Sequence, residues 1–140
     1  MTTRREMNTA LGVGLTAFCS GMGSTPLEAR PAPEPVKMLL QQPLGDIPNA
    51  EVNMLILNVA PGSVSHPHKH FGPVYAYILE GKIENQVDPE QPKTYSAGDF
   101  FYEPAMHVHR QLRNLSKTET AKVLVFLVQE KGKPTAIGAE

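Results

Sequence analysis

The feature that most constrains the fold of this chain is a succession of short β-prone segments separated by glycine, proline, asparagine and aspartate residues. No stretch keeps a helical hydrophobic period for long, whereas β-branched and aromatic residues recur throughout. The last segment is continuously apolar, which predicts a central strand buried on both faces. Many short strands at regular spacing predict an all-β sandwich or a small closed barrel. The predicted strands cover residues 52–59, 74–79, 82–87, 100–102, 108–112 and 123–128.

All the histidines of the chain lie in two clusters, and within each cluster they alternate. The first cluster contains His66, His68 and His70, and the second contains His107 and His109. Because alternate side chains of an extended strand point to the same face, each cluster directs its imidazoles to one side. Neutral imidazole is the commonest protein ligand of transition metals. The pattern predicts a metal site assembled from two strands distant in sequence; unrelated histidines on exposed loops are the alternative.

Length and composition restrict the class of protein. A chain of 140 residues is long enough for one domain, and 41% hydrophobic residues are typical of a globular protein. The formal net charge of -1 and the 6% aromatic content give no support for a nucleic-acid partner. The single cysteine, Cys19, lies near the N-terminus, so a metal site in the rest of the chain must use nitrogen and oxygen ligands.

Residues 1–29 are predicted to be a signal or leader segment outside the folded domain. Arg4 and Arg5 precede a mildly apolar run over residues 10–23, a pattern that resembles a bacterial twin-arginine export signal. We therefore expect a periplasmic or secreted protein with no membrane association after removal of the leader. The alternative is an N-terminal extension on a cytoplasmic protein. The other predicted boundaries are a proline-rich linker at 30–37, a barrel at 38–130 and a flexible C-terminal tail at 131–140.

The histidine clusters belong to two longer motifs in which glycines and a proline stand at defined distances from the histidines. The matching residues are Gly62, His68, His70 and Gly81 in the first motif, and Gly98, Pro104 and His109 in the second. In this order and spacing they resemble the two motifs of the cupin superfamily. The chain resembles a small single-domain cupin of the type-2 conserved-barrel family over residues 36–128. It departs from the family pattern at Val74, which stands in the place of a glutamate, and at Met106, which stands in the place of a glycine.

The resemblance implies an antiparallel double-stranded β-helix, or jelly-roll barrel, with a metal in its interior. It implies that His68, His70 and His109 are the ligands of one divalent transition-metal ion, with Fe, Ni, Cu, Zn and Mn as candidates. Because Val74 cannot donate to a metal, three neutral imidazoles leave the cation without charge compensation. Such an open site is expected to take a small anionic or enolisable organic substrate.

The resemblance leaves two functions open. Related three-histidine cupins include oxygen-using enzymes, which implies a metal-dependent oxidoreductase of the dioxygenase type. The loss of two motif residues instead favours a non-enzymatic periplasmic module that binds a metal or a small ligand. A small molecule is the expected partner in both cases, and a homodimer through sheet or edge-strand contacts is compatible with the family.

Glu103 is the residue that could compensate for the missing carboxylate. It shares the parity of Phe101 in the strand that leads to Pro104, so both side chains are expected to point inward. There the carboxylate would approach the metal or act in catalysis as a general base. The alternative is a solvent-exposed glutamate at the rim of the barrel.

The other predicted pocket residues follow from strand parity. His66 is expected at the mouth of the pocket or in the metal shell, and His107 is expected at the barrel entrance. Gln111 shares the parity of His109 and is expected to point inside. The apolar wall of the pocket is predicted to contain Val74, Ala76, Ile78 and Phe101.

Overall fold

The structure is a computed structural model that describes residues 35–140. The predicted leader at 1–29, and the predicted linker as far as residue 34, lie outside the described residues. Residues 35–140 include no helix that is long and apolar enough to cross a membrane. Their ten strands are β1 (Val36–Pro43), β2 (Ala50–Val59), β3 (His68–Lys69), β4 (Val74–Glu80), β5 (Lys82–Val87), β6 (Lys93–Ser96), β7 (Phe100–Glu103), β8 (His109–Asn114), β9 (Ala121–Glu130) and β10 (Ile137–Gly138).

The strands form two five-stranded antiparallel sheets. One sheet has the order β1-β2-β9-β4-β7, and the other has the order β10-β3-β8-β5-β6. The consecutive strands β4 and β5 lie in different sheets: β4 pairs with β7 and β9, whereas β5 pairs with β6 and β8. This topology confirms the predicted all-β double-stranded β-helix, or jelly roll.

The hydrophobic core lies between the two sheets and is built from alternate side chains. In β9, Ala121, Val123, Val125 and Leu127 are buried, whereas their outward neighbours are only partly buried and Phe126 is 38% exposed. The prediction of a strand buried on both faces is therefore wrong. β9 is central in its sheet, but an antiparallel sheet of this kind covers the core with one face only.

Two glycines allow close approaches that a side chain would prevent. Gly81 turns the chain between β4 and β5 with a φ of 87°, and a Cβ on it would lie 2.9 Å from the Cβ of Ala121. A Cβ on Gly72 would lie 1.7 Å from the carbonyl oxygen of Val128. The segment between β3 and β4 therefore passes directly against the backbone of β9.

The strands extend beyond the predicted barrel limits of 38–130 at both ends. β1 begins at Val36, inside the predicted linker. Within the predicted tail at 131–140, β10 pairs with β3, with Ile137 opposite Lys69 and Gly138 opposite His68. The sequence carries no sign of this pairing because strands of two residues have no periodicity and the partners are distant in the chain.

Candidate metal centre

Two neighbouring strands bring the histidine clusters together. β3 and β8 pair antiparallel with His68 directly opposite His109, and His70 follows immediately after β3. The ring centroid of His68 lies 4.7 Å from that of His109 and 4.8 Å from that of His70. His109 is only 4% exposed. The three imidazoles therefore form a single cluster in the barrel interior.

One ring nitrogen of each of these histidines contacts a carbonyl oxygen. A carbonyl oxygen can only accept a hydrogen bond, so the ring nitrogen donates, and the other nitrogen of a neutral ring carries a lone pair. Partners of this kind fix the tautomer and the orientation of metal-ligating histidines. The pairs are His68 Nδ1 with the carbonyl of His66 (2.9 Å), His70 Nδ1 with the carbonyl of Thr135 (2.5 Å) and His109 Nε2 with Asn85 Oδ1 (2.5 Å).

The remaining nitrogens are Nε2 of His68, Nε2 of His70 and Nδ1 of His109. The ligating atoms that the three residues offer all lie within 4.8 Å of one another. His68 Nε2 and His109 Nδ1 are 3.3 Å apart, and two lone pairs at this distance repel unless a positive charge lies between them. Neighbouring ligands about 2.1 Å from a metal are themselves about 3.0 to 3.4 Å apart in octahedral or tetrahedral geometry. The donor set can therefore hold one metal ion once the side chains close in from separations of up to 4.8 Å.

The carboxylate of Glu103 lies beside the same space. Exposed and buried residues alternate in β7, and Glu103 is 4% exposed, which excludes the position at the rim. Its Oε1 is 3.3 Å from His109 Nδ1, and its Oε2 is 3.5 Å from His70 Nε2. Oε2 has no hydrogen-bond partner among the described residues. A buried carboxylate oxygen without a donor is a second indication that a cation fits here.

Burial shifts the pKa values of these groups towards their neutral forms. It raises the pKa of Glu103 to about 8. Burial, together with the nearby His68 and His70, lowers the pKa of His109 to about 3. Burial also lowers the pKa of His70. His70 and His109 are therefore neutral at neutral pH, which is the form that binds a metal, and a cation would favour the ionised form of Glu103.

The cluster forms part of the wall of a cavity of about 260 Å³. This volume is small for a ligand site, so the cavity suits a compact ligand. Ser65 and Thr135 contribute polar atoms to the wall, and no lysine or arginine of residues 35–140 lines it. The apolar part of the wall includes Leu55, Leu57, Val74, Phe101, Leu112, Val125 and Leu127.

The predicted apolar wall is present only in part. Val74 and Phe101 line the cavity, but Ala76 and Ile78 do not. Both are buried in the core, with 3% and 0% exposure. A strand rises about 3.3 Å per residue, which places Ala76 and Ile78 about 7 and 13 Å beyond Val74 along β4. Strand alternation correctly predicted that Ala76 and Ile78 face the interior, but it gave no information on how far they lie from the histidines.

The prediction that Gln111 points inside is wrong. Its Nε2 donates to Glu84 Oε1 at 2.9 Å, and its side chain does not line the cavity. The register of β8 against β5 shifts at Arg110, which is an extra residue on β8. This bulge reverses the alternation, so that Leu112 follows His109 on the buried face.

His66 and His107 also lie apart from the cluster. Both are exposed, and His66 serves the site through its carbonyl and not through its ring. His107 lines a separate cavity of about 150 Å³. The alternation rule applies to continuous strands, but β3 begins after His66 and β8 begins after His107. Met106, with a φ of 61°, further interrupts the extended backbone before the second cluster.

Asn85, Ser65 and Thr135 serve the site and were missed from the sequence. Asn85 is 5% exposed on β5 and accepts from His109, while Thr135 acts through its backbone carbonyl. A backbone contact leaves no trace in residue type. Only Asn85 could have been found from the sequence. It lies two residues after the apolar Ile83 on the same strand, so its polar side chain is expected on the buried face, where it needs a hydrogen-bond partner.

A family model described as a cupin domain (Cupin_2) matches residues 55–127, slightly more than half of the chain. The chain belongs to the cupin family. The matched region contains both histidine clusters and Glu103. The double-stranded β-helix of this cupin agrees with the match. The three-histidine cluster in this fold supports a metal-binding cupin and leaves the identity of the metal undetermined. No curated protein matches this cupin in sequence.

Solved structures share the fold of this cupin. An uncharacterised conserved protein with a double-stranded β-helix domain from Klebsiella pneumoniae aligns with a TM-score of 0.57 at 18% identity, over 79% of this chain and 90% of that chain. The DMSP lyase DddQ from Ruegeria pomeroyi aligns with a TM-score of 0.54 at 16% identity, over 63% and 43%. Oxalate decarboxylase from Bacillus subtilis aligns with a TM-score of 0.52 at 20% identity, over 64% and 24%. This cupin thus spans less than half the length of either enzyme, and the similarity shows the fold alone.

Proposed function

We propose that this cupin binds one divalent transition-metal ion through His68, His70 and His109 and acts on a small anionic or enolisable organic substrate. The observation that carries the proposal is the convergence of three ring nitrogens with free lone pairs on one space in the wall of an apolar cavity. The opposite nitrogen of each ring is held by a carbonyl, as is usual for histidines that ligate a metal.

The chemistry of the donors restricts the metal. Imidazole nitrogens with a carboxylate nearby, and no thiolate, suit Fe, Ni, Cu, Zn or Mn. When bound, such an ion supplies a Lewis-acid centre and, for the redox-active metals, a route to oxygen chemistry. We propose a reaction of the dioxygenase type. The fold also occurs in a DMSP lyase and an oxalate decarboxylase, and we propose chemistry on a small organic substrate here by analogy.

The residues of this chain would hold and orient such a substrate. The apolar wall packs against its body and excludes water, while Val74 and Phe101 bring that wall next to the histidines. Because no described lysine or arginine lines the cavity, an anionic group of the substrate has no cationic side chain to pair with there. The anionic group is therefore directed to the histidine end of the cavity.

Oxygen uptake tests the proposed reaction. The full chain, loaded in turn with Fe, Ni or Cu, is assayed for oxygen consumption with diketone, flavonol and thiol substrates, beside a His68→Ala/His109→Ala variant as the metal-free control. We expect consumption with at least one pair of metal and substrate, and none with the control variant. No consumption above the control with any pair would refute the dioxygenase assignment.

A non-enzymatic module that binds a metal or small ligand is the second candidate. It is favoured by Val74 and Met106, which replace a donor and a turn glycine of the family motifs. This function predicts that a ligand raises the unfolding temperature of the metal-loaded protein without any product being formed. Product formation with the same ligand would exclude it.

We also propose that the protein is exported to the periplasm or secreted. The support is the Arg4-Arg5 pair ahead of the apolar run at 10–23, which lies outside the described residues. Fractionation of cells that express the full chain should find it outside the cytoplasm, and an Arg4→Lys/Arg5→Lys variant should remain inside. Equal distribution of the two would contradict a twin-arginine route.

A further inference from the structure

We infer that Glu103 is the fourth protein ligand of the metal. The family motif places a glutamate on β4 where this chain has Val74, and Glu103 supplies the carboxylate from the adjoining strand β7 instead. The inference rests on the proposed function, since it assumes a metal at the three histidines. It concerns which atoms complete the site, and it can fail while metal binding by the histidines stands.

The strand pairing puts Glu103 and Val74 in equivalent positions. They are directly opposite each other in the antiparallel β4–β7 pair. Their exposures are 4% and 2%, and both side chains line the cavity that contains the histidines. Residues directly opposite in such a pair have Cβ atoms about 4.5 to 5.5 Å apart. A carboxylate on either strand therefore reaches the same space.

The distances place the Glu103 carboxylate among the donor atoms. Oε1 is 3.3 Å from His109 Nδ1, which is the same separation as that between His109 Nδ1 and His68 Nε2. Oε2 is 3.5 Å from His70 Nε2. One ion can thus contact the carboxylate and the imidazoles together, with small adjustments of the side chains.

Among the described residues, the polar partners of this carboxylate are the imidazoles of His70 and His109. Oε2 accepts no hydrogen bond from any residue between 35 and 140. The cavity wall otherwise consists mainly of apolar side chains, and none of the lysines or arginines between residues 35 and 140 lines it. A carboxylate buried in such surroundings destabilises a protein unless a positive charge compensates it. These surroundings therefore favour a cation beside Glu103, which a metal ion held by the histidines would supply.

The experiment moves the carboxylate between the two strands. Four variants are compared with the wild-type chain: Glu103→Gln, Glu103→Val, the exchange Val74→Glu/Glu103→Val, and Glu119→Gln. Glu119 is exposed and remote from the cavity, so its variant controls for the loss of one negative charge. Three quantities are measured: Co²⁺ affinity by chelator competition, the visible absorption spectrum of the Co²⁺ complex, and the unfolding temperature of the metal-free protein.

We expect Glu103→Gln and Glu103→Val to weaken Co²⁺ binding by at least about tenfold and to change the spectrum. The exchange variant should recover most of the affinity because it returns a carboxylate to the same space. The metal-free Glu103→Val protein should unfold at a higher temperature than the wild type, the opposite of what a structural role predicts.

Wild-type affinity and spectrum in Glu103→Val would overturn the inference, and so would an exchange variant that binds no better than Glu103→Val. Failure of the proposed function gives a different result. In that case the wild-type chain itself binds no stoichiometric Co²⁺, and the inference falls with it.

Discussion

The hydrogen bond from His109 to Asn85 provides a test of how the metal centre is oriented. Asn85 is 5% exposed, and its Oδ1 lies 2.5 Å from His109 Nε2. Asn85→Leu keeps the branched shape of the side chain and removes the acceptor. Losing such a partner costs about 10- to 100-fold in metal affinity, or about 1.4 to 2.7 kcal/mol. The Gln111 carbonyl oxygen, 3.1 Å from the same nitrogen, remains as a weaker acceptor, so we expect a loss near the low end, about tenfold.

The assay is Co²⁺ affinity by chelator competition at neutral pH. Asn85→Asp keeps an acceptor and adds a negative charge, so its affinity should equal or exceed that of the wild type. Gln86→Leu is the matched control, because the Gln86 side chain bonds to the Glu90 carbonyl and does not touch His109. A Co²⁺ affinity of Asn85→Leu within about twofold of the wild-type affinity would be a much smaller loss than removal of such a partner causes. That result would show that Asn85 does not orient His109.

Three other variants test the backbone around the site. Gly72→Ala places a Cβ 1.7 Å from a carbonyl oxygen of β9. It should lower the free energy of unfolding, measured by urea titration, by about 3 kcal/mol or more. A loss below about 1 kcal/mol would show that these two segments separate easily. Met106→Gly relieves a φ of 61° and should stabilise by about 0.5 to 1 kcal/mol, whereas Met106→Ala should not. Ending the chain after Pro134 removes the Thr135 carbonyl that holds His70 and should weaken Co²⁺ binding about tenfold; unchanged affinity would refute that role.

The fold was predictable where strands are long enough to show a pattern. β2, β4 and β9 carry alternating or continuous apolar residues over six or more positions. β3 and β10, of two residues each, are defined only by their partners. β1 is exposed along its whole length and so has no buried face to create alternation. β1 forms because it pairs with β2, and the residue types of β1 do not predict that pairing.

The site was predictable to the extent that its residues lie on regular strands or at motif positions. Motif spacing identified the three histidines that the structure brings together, and the parity of β7 placed Glu103 inside. Parity failed for Gln111 because of the bulge at Arg110, and for His66 and His107 because loops precede β3 and β8. The carbonyl partners of the imidazoles depend on the assembled sheets and could not be read from one segment of sequence.

Metal content shows directly whether the cluster of His68, His70 and His109 binds one metal ion. The full chain is exposed to Fe²⁺, Ni²⁺, Cu²⁺, Zn²⁺ or Mn²⁺, freed of unbound metal and analysed by elemental mass spectrometry. His66→Ala/His107→Ala is the matched control for His68→Ala/His109→Ala, because it removes the same number of imidazoles outside the cluster. We expect one tightly bound ion per chain in the wild type and in His66→Ala/His107→Ala, and none in His68→Ala/His109→Ala. A wild-type chain without stoichiometric metal, or equal metal in the two double variants, would contradict this expectation.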